Sequence, residues 1–174
     1  ESYGYMVGDF VRDKDAITSA LVACEVGSEC KSKGINLIDY LIDCYVKYGF
    51  FKEKLISIEK KGAEGSKEIS SIMNKLRNYK IKSLDGSKLI SFKDFQSSQE
   101  INQISGEINI LNFPKSNVLI FESEDGTTVA ARPSGTEPKI KFYISVNTVL
   151  KSKDDYNRVN QILNNKIVNL TKEF

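Results

Sequence analysis

Three strand-like runs between positions 117 and 146 constrain this chain more than any other feature. "NVLIFES" and "TTVAAR" are short apolar runs that read as strands, and "KIKFYISV" alternates, with Ile140, Phe142 and Ile144 on one face. Glu124, Asp125 and Gly126 join the first two, and an Asp-Gly pair between strand-like runs is a strong hairpin signal. Beyond them the period becomes helical. Ser152 and Asp155 stand as a capping pair before the stripe Tyr156, Val159, Leu163, Ile167 and Leu170. Upstream, "KLISIEK" at 54–60 reads as a strand and Gly62 with Gly65 as a turn. Ile69, Ile72, Met73 and Leu76 then form one face of a helix from about 66 to 77. Residues 78–114 are less regular: "SLDGSKLISF" suggests a short hairpin and "QSSQEINQ" an exposed loop. From about residue 50 the predicted order is β-α-(loop)-β-β-β-α. It suits an α+β fold, an antiparallel sheet of about four strands with two helices on one face.

The first 50 residues read differently. "DKDAITSALVACEVGSEC" is apolar almost all the way round a helical wheel between Ala16 and Val26, as in a helix buried on several sides. Gly34 sits at a helix stop, Asn36 with Asp39 resembles a capping box, and Ile35 with Tyr40 a hydrophobic staple. A second helix with the stripe Leu37, Leu41, Cys44, Tyr45 and Tyr48 is predicted to run to Gly49. Two such helices need a covering partner, so self-association through residues 13–48 is expected.

Composition narrows the chemistry. The chain has 40% hydrophobic and 28% charged residues, a globular balance, and a formal charge of +2 that points to no particular partner. No apolar run reaches the about 18 residues that a membrane span requires, and no leader precedes the ordered pattern, so a cytoplasmic location with no membrane partner is expected. Cys24, Cys30 and Cys44 are odd in number and not spaced as ligands, which suits buried free thiols in a reducing compartment. There is no histidine, so a Ser-His-Asp triad, a Cys-His dyad and any histidine metal site are excluded within this chain. The first residue is Glu1 rather than methionine, and an upstream segment is expected.

The loop between the last two strand-like runs, "RPSGTEP", carries the parts of an oxyanion site. Arg132 offers a planar fork of donors that matches phosphate, and Ser134 and Thr136 add hydroxyls. Gly135 lets backbone N–H groups approach a ligand, while Pro133 and Pro138 limit the loop's freedom. The same residue types also make an ordinary turn with an exposed arginine. On residue types alone both readings stand.

"RPSGTEPKIKFY" resembles the C-terminal phosphate-binding signature of the α-D-phosphohexomutases, the phosphoglucomutase and phosphomannomutase superfamily. "ESYGYMVGDFVRDKDA" is similar to the family's sugar-recognition loop and the Arg-Asp-Lys-Asp run after it. "YGFFKEKLISIEKKGAEGSKEI" and "LNFPKSNVLIF" fall in the family's order. The resemblance covers nearly the whole chain and is weakest from 80 to 110. It implies a four-domain enzyme in which a phosphoserine of the first domain donates its phosphoryl group to a sugar monophosphate. The sugar bisphosphate reorients and returns a phosphoryl group from its other oxygen, with Mg²⁺ held by aspartates of the second domain. Residues 1–50 would end the third, sugar-recognising α/β domain, contributing two helices. Residues 51–174 would form the fourth domain, of TATA-box-binding-protein-like form. By the same resemblance, Arg132, Ser134, Gly135 and Thr136 would hold the non-reacting phosphate, Glu1 and Ser2 would contact sugar hydroxyls, and Lys14 would lie near the reacting phosphate.

The departures matter as much. No Ser-His-Asn-Pro loop and no Asp-Gly-Asp-Gly-Asp loop is present, so nucleophile and metal ligands are missing and the chain alone is expected to be inactive. Without the resemblance, Arg12, Asp13, Lys14 and Asp15 are a solvated helix start. The Glu-Ser-Tyr-Gly-Tyr form leans toward the phosphoglucomutase-like branch and away from phosphoglucosamine mutases, and does not fix the sugar. Two other classes remain in view: a free-standing regulatory module that binds a phosphorylated metabolite, and an α+β nucleic-acid binder. The second needs aromatics amid clustered basic residues on an open sheet face, and Phe142 with Tyr143 alone gives it little; no nucleic-acid partner is expected.

Overall fold

The strand-like runs pair into one antiparallel sheet in a computed structural model, which describes residues 5–10, 12–78 and 81–174. The strands are β1 (Phe50–Glu59), β2 (Ser83–Leu84), β3 (Ser87–Asp94), β4 (Gln99–Asn102), β5 (Ile108–Ile110), β6 (Leu119–Ser123), β7 (Thr128–Pro133) and β8 (Lys139–Thr148). The helices are α1 (Ala16–Ser32), α2 (Leu37–Tyr48), α3 (Gly62–Asn78) and α4 (Tyr156–Glu173). Strand order is β1-β8-β7-β6-β3-β4-β5, with β2 paired on β3. The fold is α+β. The four strands expected from the sequence, β1, β6, β7 and β8, are contiguous, and the region of weak periodicity adds β2 to β5 beside them.

Of the added strands, β4 and β5 were hard to see for a physical reason. Most of "QSSQEINQ" is polar, yet it supplies β4, which pairs with β3 through polar cross-strand neighbours and the single apolar pair Phe92–Ile101. Ser91 donates to Glu100 at 2.8 Å, and Lys93 sits 3.4 Å from Glu100 and 3.3 Å from Glu122. Such pairs contribute a few tenths of a kcal/mol to about 1 kcal/mol each. The "SLDGSKLISF" hairpin forms as predicted, with Asp85 and Gly86 both at positive φ, the pattern an Asp-Gly turn favours.

Chain breaks into two compact units: Glu1–Gly49 with Val149–Tyr156, and Phe50–Thr148 with Asn157–Phe174. In the second unit the buried strand positions share one face. Leu119, Ala131 and Phe142 lie side by side across β6, β7 and β8, and Phe121, Val129 and Ile144 form the next row. α3 brings Ile69 and Met73 to the buried set, and α4 brings Val159, Leu163, Ile167 and Leu170, most of the predicted stripe. The Phe174 ring lies 5.5 Å from Phe142 and 6.0 Å from Phe121, centroid to centroid. Each large side chain buried this way stabilises by about 1.5–3 kcal/mol. The opposite face carries the partly exposed Ile120, Ala130, Tyr143 and Ser145.

α3 starts earlier than the sequence suggests, at Gly62. Gly65 is a point of close approach rather than part of a turn: a Cβ there would meet Lys60 Cβ at 2.7 Å and its carbonyl carbon at 2.8 Å. In the first unit, Asp15 caps α1 by accepting from Ile17 N–H at 3.0 Å, and Asn36 caps α2 by accepting from Asp39 N–H at 2.8 Å. α2 ends at Gly49, and Lys153 reaches Asp43 of α2 at 2.8 Å. α1 is not the enclosed helix its apolar wheel predicts: it buries Ser19 and Cys30 while Ile17 and Leu21 stay exposed, because nothing among the described residues covers that side. No described helix is long and apolar enough to cross a membrane.

Candidate functional site

The loop 134–138 is held at both ends by strands that cannot slip without turning a buried row outward. Pro133 of β7 faces Ile140 of β8, and Ser134 N–H donates to Lys139 C=O at 2.8 Å to close the loop. Pro138 C=O accepts from Lys60 N–H at 2.8 Å, which fastens the far end to the segment before α3. Inside the loop Ser134 Oγ accepts from the N–H groups of Thr136 (3.4 Å) and Glu137 (3.2 Å). The hydroxyl's lone pairs are thus used by the loop, and its proton is left to donate outward.

A half-open cleft of about 240 Å³ lies beside the loop. Ser134, Gly135 and Thr136 form one wall, and Ser66 and Ser70 of α3 with Asn117 form the other. Its volume is several times the about 30 Å³ that one water takes. Gly135 does not sit at positive φ, and a Cβ on it would meet nothing within 4 Å. The backbone does not require glycine there, and what the missing side chain leaves open is space beside the loop.

Arg132 stands apart from this cleft. It points to the open face of the sheet, exposed, with Lys141 as its cross-strand neighbour on β8. Reading the loop alone misses this neighbour, which β-pairing across the loop brings beside Arg132. Glu137, which lines the cleft, would repel an anion, but Lys139 lies 2.5 Å from its carboxylate. That ammonium holds the Glu137 carboxyl below its usual range, with a further pull from Lys141. A larger groove of about 640 Å³ runs along the exposed side of α3 between Ser66 and Asn78, but it contains no residue of the loop.

Lys14 belongs to the first unit and pairs with its neighbour Asp13 at 2.5 Å, both well exposed. The hydrogen bond between them lowers the Asp13 carboxyl and raises the Lys14 ammonium from their ordinary values. Glu1 and Ser2, the expected sugar contacts, lie outside the described residues. Among the described residues no cluster of three His, Cys, Asp or Glu side chains is placed to hold a metal ion, so the Mg²⁺ implied by the resemblance has no ligand set in them.

Similarity to known proteins decides the family. The chain is 36% identical over 169 residues to a phosphoglucomutase of Staphylococcus epidermidis, matching 97% of this chain and 30% of that protein. The chain belongs to the phosphohexomutase superfamily. A phosphoglucomutase of Staphylococcus aureus is 38% identical over 146 residues, 84% of this chain and 26% of that protein. The match falls in the C-terminal part of these phosphohexomutases, and the chain spans under a third of their length. Among solved structures, the pp63/parafusin phosphoglucomutase of Paramecium in its open form aligns with 83% of this chain and 24% of its own. Its TM-score is 0.47 at 14% identity. No family model matches the chain.

Proposed function

We propose that this chain is the phosphate-holding part of a phosphohexomutase that interconverts sugar 1-phosphates and sugar 6-phosphates through a phosphoserine and a sugar bisphosphate. The second unit acts as the fourth domain and grips the phosphate that is not reacting; the first unit ends the sugar-recognising third domain. Phosphoserine and Mg²⁺ ligands come from the domains that precede these in the family, so the chain alone turns nothing over. The observation that carries this reading is the loop 134–138, pinned at both ends by β-pairing, with outward donors at Ser134 and Thr136 and the cations Arg132 and Lys141 side by side at its base.

The chemistry follows from what each group offers. Gly135 N–H, the Ser134 hydroxyl and the Thr136 hydroxyl bind phosphate oxygens without regard to which end of the sugar carries them, as a substrate used in two orientations requires. Arg132 reaches that phosphate by swinging from the open face over the loop, where it adds a planar fork, and Lys141 beside it adds a point charge. Holding one phosphate fixes the sugar so that its other end reaches the reacting centre.

The test is a titration of the full chain with glucose 1-phosphate followed by NMR. The amides of Ser134, Gly135 and Thr136 are expected to move with a millimolar Kd, about 4 kcal/mol of binding. Arg132→Lys is expected to weaken binding about three- to tenfold, since a point ammonium cannot reproduce the fork. Shifts confined to lysines elsewhere would sink the reading.

A further inference from the structure

We propose that Asn117 is a further anion-contacting residue of this cleft, its amide N–H₂ group turned toward the ligand by the Asp94 and Arg77 pair. The inference rests on the phosphate-loop reading and extends it to a residue outside the loop.

Arg77, in the last turn of α3, donates from Nε to Asp94 Oδ2 at 3.0 Å and from Nη2 to Asn117 Oδ1 at 2.9 Å. A guanidinium has donors only, so the amide atom facing it must be the oxygen. The choice that is usually ambiguous for an asparagine side chain is therefore fixed by its partner. Nδ2 is turned away from Arg77 and makes no hydrogen bond among the described residues.

The pair behind Asn117 is well anchored. Asp94 is 5% exposed, sits at the end of β3, and also accepts from Gln96 N–H at 3.0 Å. Its carboxylate thus stays where Arg77 needs it, and Arg77 in turn holds the amide. Asn117 lines the same cleft as Ser134, Gly135 and Thr136. On that wall Ser70 donates its hydroxyl back to Ser66 C=O at 3.0 Å, which leaves the Asn117 amide as the nitrogen donor facing the loop. Two N–H groups there fit phosphate oxygens that the loop leaves unbound. Being neutral, the amide adds this contact without drawing Glu137 away from Lys139.

The full chain titrated with inorganic phosphate tests this. In the unmodified protein the side-chain amide signals of Asn117 should move together with the backbone amides of residues 134–136, with the same Kd. Asn117→Ala should weaken binding about three- to tenfold, the worth of one or two hydrogen bonds to a charged group. Asn117→Asp keeps an acceptor for Arg77 but puts a carboxylate where the donors were, so it should bind more weakly than the alanine variant. A residue that merely braced Arg77 would give an alanine variant that binds as well as the unmodified protein, since Arg77 keeps Asp94 as its partner. That result, or a still Asn117 amide while the loop amides move, overturns the inference and leaves the loop reading intact. Still loop amides would overturn the loop reading and this inference with it.

Discussion

A glycine that the backbone does not require is the most telling single residue of the loop. Gly135 has an ordinary φ and open space where its Cβ would be, so Gly135→Ala should leave the fold intact or stabilise it by roughly 0.4–1 kcal/mol through the unfolded chain. The methyl would stand beside the cleft, and phosphate binding should weaken in the same variant. Thermal melts and the phosphate titration check the two halves separately; a variant that melts early and binds normally would show the opposite division of labour. Ser134, Gly135 and Thr136 are legible as candidates in the sequence because they are consecutive. The proposed Lys141 and Asn117 are not, since each comes near the loop through β-pairing or through a side chain of α3, relations that adjacency in sequence does not carry.

At the scale of elements, the turn between β6 and β7 is tied to α4 by one charged contact. Asp125 accepts from Ser123 Oγ at 2.8 Å and from Thr127 N–H at 3.1 Å, and Lys166 of α4 reaches its other oxygen. Partial burial alone would raise its carboxyl; the bonds from Lys166, Ser123 and Thr127 outweigh that and hold it well below the ordinary value of 3.8. A carboxyl depressed on folding stabilises the fold at pH values above its unfolded pKa, and that contribution is lost as pH falls through the folded one. Acid melts should therefore steepen below about pH 4, and Lys166→Met should flatten that limb. At neutral pH the same change should lower Tm by about 2–4 °C, the effect of about 1 kcal/mol on a chain of this size, given how exposed Asp125 is. Unchanged acid melts in Lys166→Met would remove Lys166 from the account. The hairpin around Asp125 and the stripe of α4 were legible because each has one period and one apolar face. β4 and β5 were not: β4 is held by Ser91 and Lys93, and β5 exposes Ile108 and Ile110, so neither shows the buried alternation by which a strand is recognised.

For the whole molecule, the first unit leaves apolar side chains uncovered on both its helices, Ile17 and Leu21 on α1 and Ile38 and Leu41 on α2. Uncovered faces of this kind promote association and loose packing. Amides of residues 16–48 should exchange faster than those of β6 to β8, and sedimentation should show concentration-dependent association that Leu21→Lys with Ile38→Lys reduces. A monomer at every concentration with even protection would count against it. The path of the chain adds something that stability measurements do not capture. It enters the second unit at Phe50, leaves it after Thr148 to place Val149–Tyr156 in the first, and returns for α4. In genetic terms the first unit is not a contiguous cassette, because its last stretch is encoded between β8 and α4. A crossover or a protease cut at residue 50 would place α2 and Lys153, the partner of Asp43, on different pieces of chain and so divide the first unit itself.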